Sequence, residues 1–142
     1  MNFNDARISR LYVTKTGGDV QNASPNAPVN GVGSPDPNFG LTLEMEAGAG
    51  VAGGYSLLVT AYDVSLGSNN NAMKPPAGPL NGPGTFATPP WIVAAGDRTF
   101  DQTVTVNVPP GVREHIFHYT VALVSDNNQV VDIKESEPFI LV

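Results

Sequence analysis

The chain has no cysteine and few charged residues. The absence of cysteine excludes disulfides, thiolate metal sites and cysteine nucleophiles. Charged residues make up 14% of the sequence, against about 25% in an average soluble domain. The surface must therefore consist largely of neutral polar groups and backbone. Such surfaces are typical of exported proteins, particle subunits and proteins that pack against copies of themselves.

Basic residues and long apolar runs are also scarce. Seven Lys and Arg are outnumbered by 13 Asp and Glu, for a net charge of −6. We expect neither nucleic acid nor membrane insertion, because phosphate binding needs Lys and Arg and no stretch approaches the roughly 20 apolar residues of a span. The first ten residues lack the apolar core of a signal peptide. A cytosolic protein and an exported mature form both remain open.

The sequence does show period-two alternation of apolar and polar residues over the length of one domain, residues 1–142. Predicted strands cover residues 8–16, 40–48, 55–66, 98–108, 115–124 and 130–142, and a short further one lies within 88–96. Helical periodicity is nearly absent. Antiparallel strands without βαβ spacing predict an all-β sandwich of about six to eight strands.

Within these strands, the alternation predicts which side chains form the interior. Leu43, Val104 and Val121 are expected to face the core. In segment 55–66, the side chains on both faces of the predicted strand are largely apolar, and Leu58 lies on the face opposite Leu57. Two apolar faces favour a central strand. Pro138 lacks a backbone N–H, so it is expected to break the ladder of the last strand at an edge or a bulge.

Two long segments rich in Asn, Pro and Gly interrupt the strands at residues 17–39 and 67–88. Both exceed the roughly 12–15 residues above which a loop without structure is unusual. Their prolines favour ordered, extended backbone. A recognition surface or an assembly arm is therefore expected in these segments first.

Tyr119, Val121 and Leu123 alternate along one strand, a polar turn follows, and residues 130–142 return as a closing strand. Over residues 98–142 this pattern resembles immunoglobulin-like and fibronectin type III-like sandwiches. The resemblance implies that these strands are the F and G strands. It also implies that Tyr119 is a corner tyrosine whose hydroxyl caps a nearby backbone group. A jelly roll is the alternative fold.

Three short motifs are candidates for chemical sites. Residues 48–53 match G-x-G-x-x-G, but strand formers follow where a dinucleotide site needs a helix, which favours a hairpin loop. His115 and His118, three apart on a strand, point to opposite faces, so they do not predict a shared metal. Asp126–Asn128 offers oxygen ligands, yet turn chemistry accounts for it. We expect no metal or cofactor.

Glu44 and Glu46 share a strand face at a spacing of about 7 Å. Paired carboxylates are the groups that hydrolyse glycosides. An exposed strand face explains the same pair equally well. A glycoside hydrolase is therefore the least favoured functional class, and no catalytic residue is assigned.

The favoured function is a non-enzymatic binding or assembly protein that forms a homo-oligomer or binds another protein through its long loops and its last strand. The alternative is a carbohydrate-binding module, in which exposed rings stack on sugars and asparagines bind hydroxyls. Its candidate residues are Trp91, Tyr62, Tyr55, Phe86, Asn70 and Asn71. For Trp91, a place in the core is the preferred interpretation, since Trp is highly buried on average.

Overall fold

The computed structural model describes residues 4–15, 38–94, 96–126 and 130–141. Over those residues the chain forms two antiparallel β-sheets packed face to face, which confirms the predicted all-β sandwich. Its strands are β1 (Ala6–Lys15), β2 (Asn38–Ala47), β3 (Gly54–Asp63), β4 (Ser68–Asn69), β5 (Gly82–Thr85), β6 (Ile92–Ala94), β7 (Asp97–Asn107), β8 (Ile116–Ser125), β9 (Val130–Glu135) and β10 (Phe139–Ile140). A 3₁₀ helix spans Asn71–Met73. No helix in these ranges is long and apolar enough to cross a membrane.

One sheet has four strands in the order β1-β2-β7-β6. The other has six, in the order β10-β8-β3-β4, with β5 also paired to β3 and β9 also paired to β8. Strands β9 and β10 lie along the same edge of β8 and are separated by residues 136–138. The predicted interruption at Pro138 is thus confirmed. At the open side of the sandwich, Ile8 N on β1 donates to Asp132 Oδ2 on β9 at 2.8 Å, which joins the two sheets.

The core lies between the sheets and is formed by alternate residues of the long strands, as predicted. Leu43 and Val121 are fully buried, and Val104 packs against the buried cluster. Strand β3 is central, because β8 lies on one side of it and β4 and β5 on the other. Its second apolar phase, however, faces outward: Leu58 is 58% exposed.

The long segment 67–88 is part of the fold rather than an appendage. It contributes β4, the 3₁₀ helix and β5, and it buries Met73, Leu80 and Phe86 in the core. The first long segment, 17–39, lies outside the described residues up to position 37, and its last two residues begin β2. The expectation that proline-rich backbone is ordered therefore holds for the second segment.

The glycine-rich residues 48–53 form a loop, but the predicted hairpin is wrong. This loop leads from β2 in one sheet to β3 in the other, and the two strands do not pair. Arg98 on β7 donates side-chain hydrogen bonds to the carbonyls of Val51 and Ala49, which fixes the crossing. A strand follows the loop, so the requirement of a helix for dinucleotide binding is not met.

Candidate functional site

The residues predicted to bind a ligand fall into two groups at opposite ends of β3. Trp91 and Phe86 lie against Tyr55 near its start. Tyr62 lies near its end, where Asn69 pairs with it and the 3₁₀ helix begins. Seven residues of extended chain separate the two ends, or roughly 23 Å. The structure therefore does not bring the predicted residues into one site.

The first group is an aromatic cluster inside the core. Trp91 is 5% exposed and Phe86 is 2% exposed, and their ring centroids are 5.3 Å apart. Trp91 Nε1 donates a buried hydrogen bond of 2.9 Å to the Tyr55 hydroxyl. The preferred interpretation of Trp91 as a core residue fits this burial. A ligand that stacked on either ring would have to displace part of the core.

A cleft of about 500 Å³ lies beside this cluster, between the start of β3 and residues 77–90. Among the described residues, the lining of this cleft carries no carboxylate, ammonium or guanidinium group, and Tyr55 is its one aromatic residue. Burial raises the pKa of the Tyr55 phenol above its ordinary value, and the Trp91 hydrogen bond opposes this only in part. The phenol is therefore neutral and keeps its proton at physiological pH.

The residues of the second group, Tyr62, Asn70 and Asn71, make contacts within the fold near the end of β3. Tyr62 is half-buried on the outer face of the six-stranded sheet, and its ring centroid lies 5.3 Å from that of His118. Asn70 Oδ1 accepts a hydrogen bond of 3.0 Å from Ala72 N and so caps the 3₁₀ helix. Asn71 is exposed on the first turn of that helix. The amide oxygen of Asn70 is thus occupied by its own backbone.

The outer face of the six-stranded sheet, here named the β8 face, has a row of apolar side chains at its centre. Leu58 on β3 lies opposite Ala122 on β8, and Ala122 lies opposite Ile133 on β9. Leu58 and Ile133 are 58% and 56% exposed. As used below, the β8 face is the part of this surface on β3, β8, β9 and β10, and it comprises Ser56, Leu58, Thr60, Tyr62, Ile116, His118, Thr120, Ala122, Val124, Ile133, Glu135 and Ile140.

The outer face of the four-stranded sheet is different, because ion pairs cross it. Arg7 lies opposite Glu46 and Arg10 opposite Glu44, at N–O distances of 2.8 and 2.5 Å. Each carboxylate of the sequence-predicted pair is therefore matched to an arginine of β1. General acid catalysis needs a carboxyl group that is buried in surroundings suited to its neutral form, and here both glutamates lie on an outer sheet face in ion pairs with arginines. The arrangement gives a glycosidase no support.

The two histidines have separate partners. His115 Nδ1 lies 2.8 Å from Oδ2 of Asp63, a buried carboxylate at the end of β3. Asp63 Oδ1 also accepts from Leu66 N. His118 instead packs its ring at a tilt against that of Tyr62 on the β8 face. Within the described ranges, no cluster of three His, Cys, Asp or Glu side chains could hold a metal.

The predicted binding residues did not include Leu58 or Ile133. The sequence does indicate them, because in segments 55–66 and 130–142 both sets of alternating residues are apolar and not only the set that faces the core. A strand with one face in solvent needs apolar residues only on the other face. A second set of apolar residues indicates either that both faces are buried or that a partner covers the outer one. The register places this second set on the outer face of the sheet, where it is exposed.

Comparison of the chain with protein-family models, with curated protein sequences and with solved structures gives no match.

Proposed function

We propose that this protein is a non-enzymatic β-sandwich that assembles with copies of itself through the β8 face. The observation that carries the proposal is the exposed row of Leu58, Ala122 and Ile133 in a face with very little charge. Contiguous apolar surface on a folded protein marks an interaction site, whereas single exposed apolar residues do not.

The contrast between the two outer faces supports the choice of surface. The four-stranded sheet presents arginine–glutamate pairs. Among its described residues, the β8 face has one carboxylate, Glu135, which lies at the β9 margin opposite Thr120. The centres of protein interfaces are depleted in charged residues and enriched in aromatic ones. Tyr62 and His118 supply the aromatic part of this face.

The size of the face is close to that of a small specific contact. A surface three strands wide, formed by β3, β8 and the β9–β10 edge with strands of about ten residues, covers roughly 500 Å². Two copies packed face to face would bury about 1,000 Å², which is the lower limit expected of a specific interface. A twofold axis through the Leu58–Ala122–Ile133 row would place the same apolar side chains of both copies in contact.

The strand order supports the immunoglobulin-like resemblance over the jelly roll. The orders β1-β2-β7-β6 and β9-β8-β3-β4 are compatible with an assignment of these strands to the A-B-E-D and G-F-C-C′ sheets of immunoglobulin-like domains. This likeness bears on the fold alone, since such sandwiches serve many functions. The proposed assembly depends on the composition of the β8 face and not on the family.

Sedimentation velocity over a range of protein concentrations tests the proposal. The wild type should sediment as a dimer or larger species, and Leu58→Lys should shift it to a monomer because a lysine charge would be buried in the contact. Thr105→Lys is the matched control, since Thr105 is exposed on the outer face of the other sheet. A wild-type monomer at millimolar concentration, or a Leu58→Lys protein that assembles unchanged, would refute the proposal.

A further inference from the structure

The cleft between the start of β3 and residues 77–90 is a second surface feature, separate from the β8 face. Its volume of about 500 Å³ lies within the range of about 300–1,000 Å³ found for ligand sites. None of its lining residues is among those named as the β8 face, but Pro83 and Thr85 on β5 lie opposite Ser56 and Gly54 of β3 and so stand at the margin of the same outer sheet surface. Sugar binding is therefore measured on Leu58→Lys as well as on the wild type.

The chemistry of the lining selects a neutral ligand. Four prolines supply C–H surface, and the polar side chains are the hydroxyls of Tyr55, Thr85 and Thr88 and the amide of Asn81. A charged ligand would lose water here without gaining an opposite charge. A ligand with C–H faces and a rim of hydroxyl groups matches both kinds of lining. We propose that the cleft binds a neutral sugar.

The Tyr55 hydroxyl is held in place to donate to such a ligand. It accepts the Trp91 Nε1–H bond at 2.9 Å, and this leaves its own proton for another acceptor. The hydroxyl end of the ring lies beside Gly84, where a side-chain Cβ would come within 2.5 Å of the phenol oxygen. Gly84 and Tyr55 both line the cleft.

Other polar groups of the lining are also fixed by the protein. Asn81 Nδ2 donates to the carbonyl of Pro75 at 3.0 Å, which fixes the amide plane and leaves Oδ1 as an acceptor for a sugar hydroxyl. The hydroxyls of Thr85 and Thr88 hydrogen-bond to each other. Groups that are already ordered lose little entropy when a ligand binds.

The sugar contacts proposed here are hydrogen bonds and aliphatic surface, and not the ring stacking that the sequence led us to expect of a carbohydrate-binding module. A nucleobase or another flat aromatic compound binds proteins by stacking on aromatic rings. Tyr55 is the one ring in the lining, and it is covered by Phe86 and Trp91 at centroid distances of 4.7 and 6.1 Å. The site therefore has hydrogen-bonding groups and aliphatic surface but no free stacking surface.

Saturation-transfer NMR and titration calorimetry with glucose, galactose, mannose, N-acetylglucosamine and their neutral disaccharides test the proposal. At least one sugar should bind the wild type, and Ala77→Trp should abolish binding because it fills the cleft from an exposed position. Ala87→Trp, at an exposed alanine outside the lining, is the matched control. Tyr55→Phe should weaken binding about tenfold through loss of one hydrogen bond.

Each other outcome refutes the proposal. No binding by any sugar of the panel, binding of adenosine in place of sugars, or wild-type affinity in Ala77→Trp would each do so. Trp91 fluorescence of Tyr55→Phe shows whether the aromatic cluster is intact, and Ala77→Trp remains decisive if it is not. The Leu58→Lys variant should bind the sugar as the wild type does, so failure of the assembly proposal and failure of this one are distinguishable.

Discussion

The Tyr119 hydroxyl on β8 donates a hydrogen bond of 2.6 Å to the backbone carbonyl of Met73, 46 residues earlier in the chain. Its ring is fully buried and stacks on Phe139 at a centroid distance of 5.8 Å. The bond ties the 3₁₀ helix of segment 67–88 to the core. The Tyr119 hydroxyl thus caps a backbone group 46 residues earlier in the chain, whereas a tyrosine corner caps one only a few residues upstream.

Tyr119→Phe should reduce the free energy of unfolding by about 1–3 kcal/mol, because it leaves the Met73 carbonyl without its buried donor. The ring is kept, so packing is nearly unchanged. Urea unfolding at neutral pH measures the loss. Tyr62→Phe, at a half-buried surface position, is the control and should change stability by less than about 0.5 kcal/mol.

Hydrogen exchange locates the effect of Tyr119→Phe. Lys74 N donates to Asn71 O and Met73 N to Asn70 O within the short helix. These amides should exchange faster in the variant, while those of β2 should be unchanged under conditions where exchange is local. Equal stability and equal exchange in both proteins would show that the Tyr119 bond does not hold the segment.

The strands could be predicted because period-two alternation is a local property. Val121 and Leu123 follow Tyr119 at alternate positions, and all three are fully buried. Pro138 likewise acts locally, by removing one backbone donor. The sandwich thus follows from residues a few positions apart, without knowledge of which strand pairs with which.

The candidate surfaces could not be predicted, because they depend on distant pairing. The Leu58–Ala122–Ile133 row exists only in the observed register of three strands. The preference for Trp91 in the core rests on the average burial of tryptophan, and nothing in the sequence indicates that Tyr62 lies at the surface. The glycine loop 48–53 gave no sign of crossing between sheets, since a hairpin loop has the same composition.

Stability should fall as the pH rises above about 10. Burial raises the pKa of Tyr119, and also those of Tyr55 and Tyr12, above the ordinary tyrosine value. Above about pH 10 the unfolded chain therefore releases tyrosine protons that the folded chain retains. Because the unfolded state then binds fewer protons, the free energy of unfolding decreases with pH.

Urea unfolding from pH 8 to 11.5 measures this decline. The contribution is fully present below pH 10 and is lost progressively above it, toward the raised pKa of the folded state. Tyr119→Phe should be less stable than the wild type at pH 8 but should decline less steeply. Parallel curves for the two proteins would show that Tyr119 ionisation does not contribute.

Ser136 lies in the interruption between β9 and β10 and supplies hydrogen bonds to β8 there. Its backbone N donates to Tyr119 O at 2.8 Å, and its side-chain Oγ accepts from Tyr119 N at 2.9 Å. The same Oγ donates to Glu137 O at 3.1 Å. A side chain therefore takes the place of the strand carbonyl that the break before Pro138 removes.

Ser136→Ala should cost about 1–3 kcal/mol in urea unfolding, because it leaves the buried Tyr119 N–H without an acceptor. Ser136→Thr keeps the hydroxyl and should recover part of the loss, and Ser68→Ala at an exposed serine of β4 should have almost no effect. If Ser136→Ala were as stable as Ser68→Ala, water would have to satisfy the Tyr119 amide. That amide would then exchange with solvent much faster than its neighbours on β8, and hydrogen exchange would detect it.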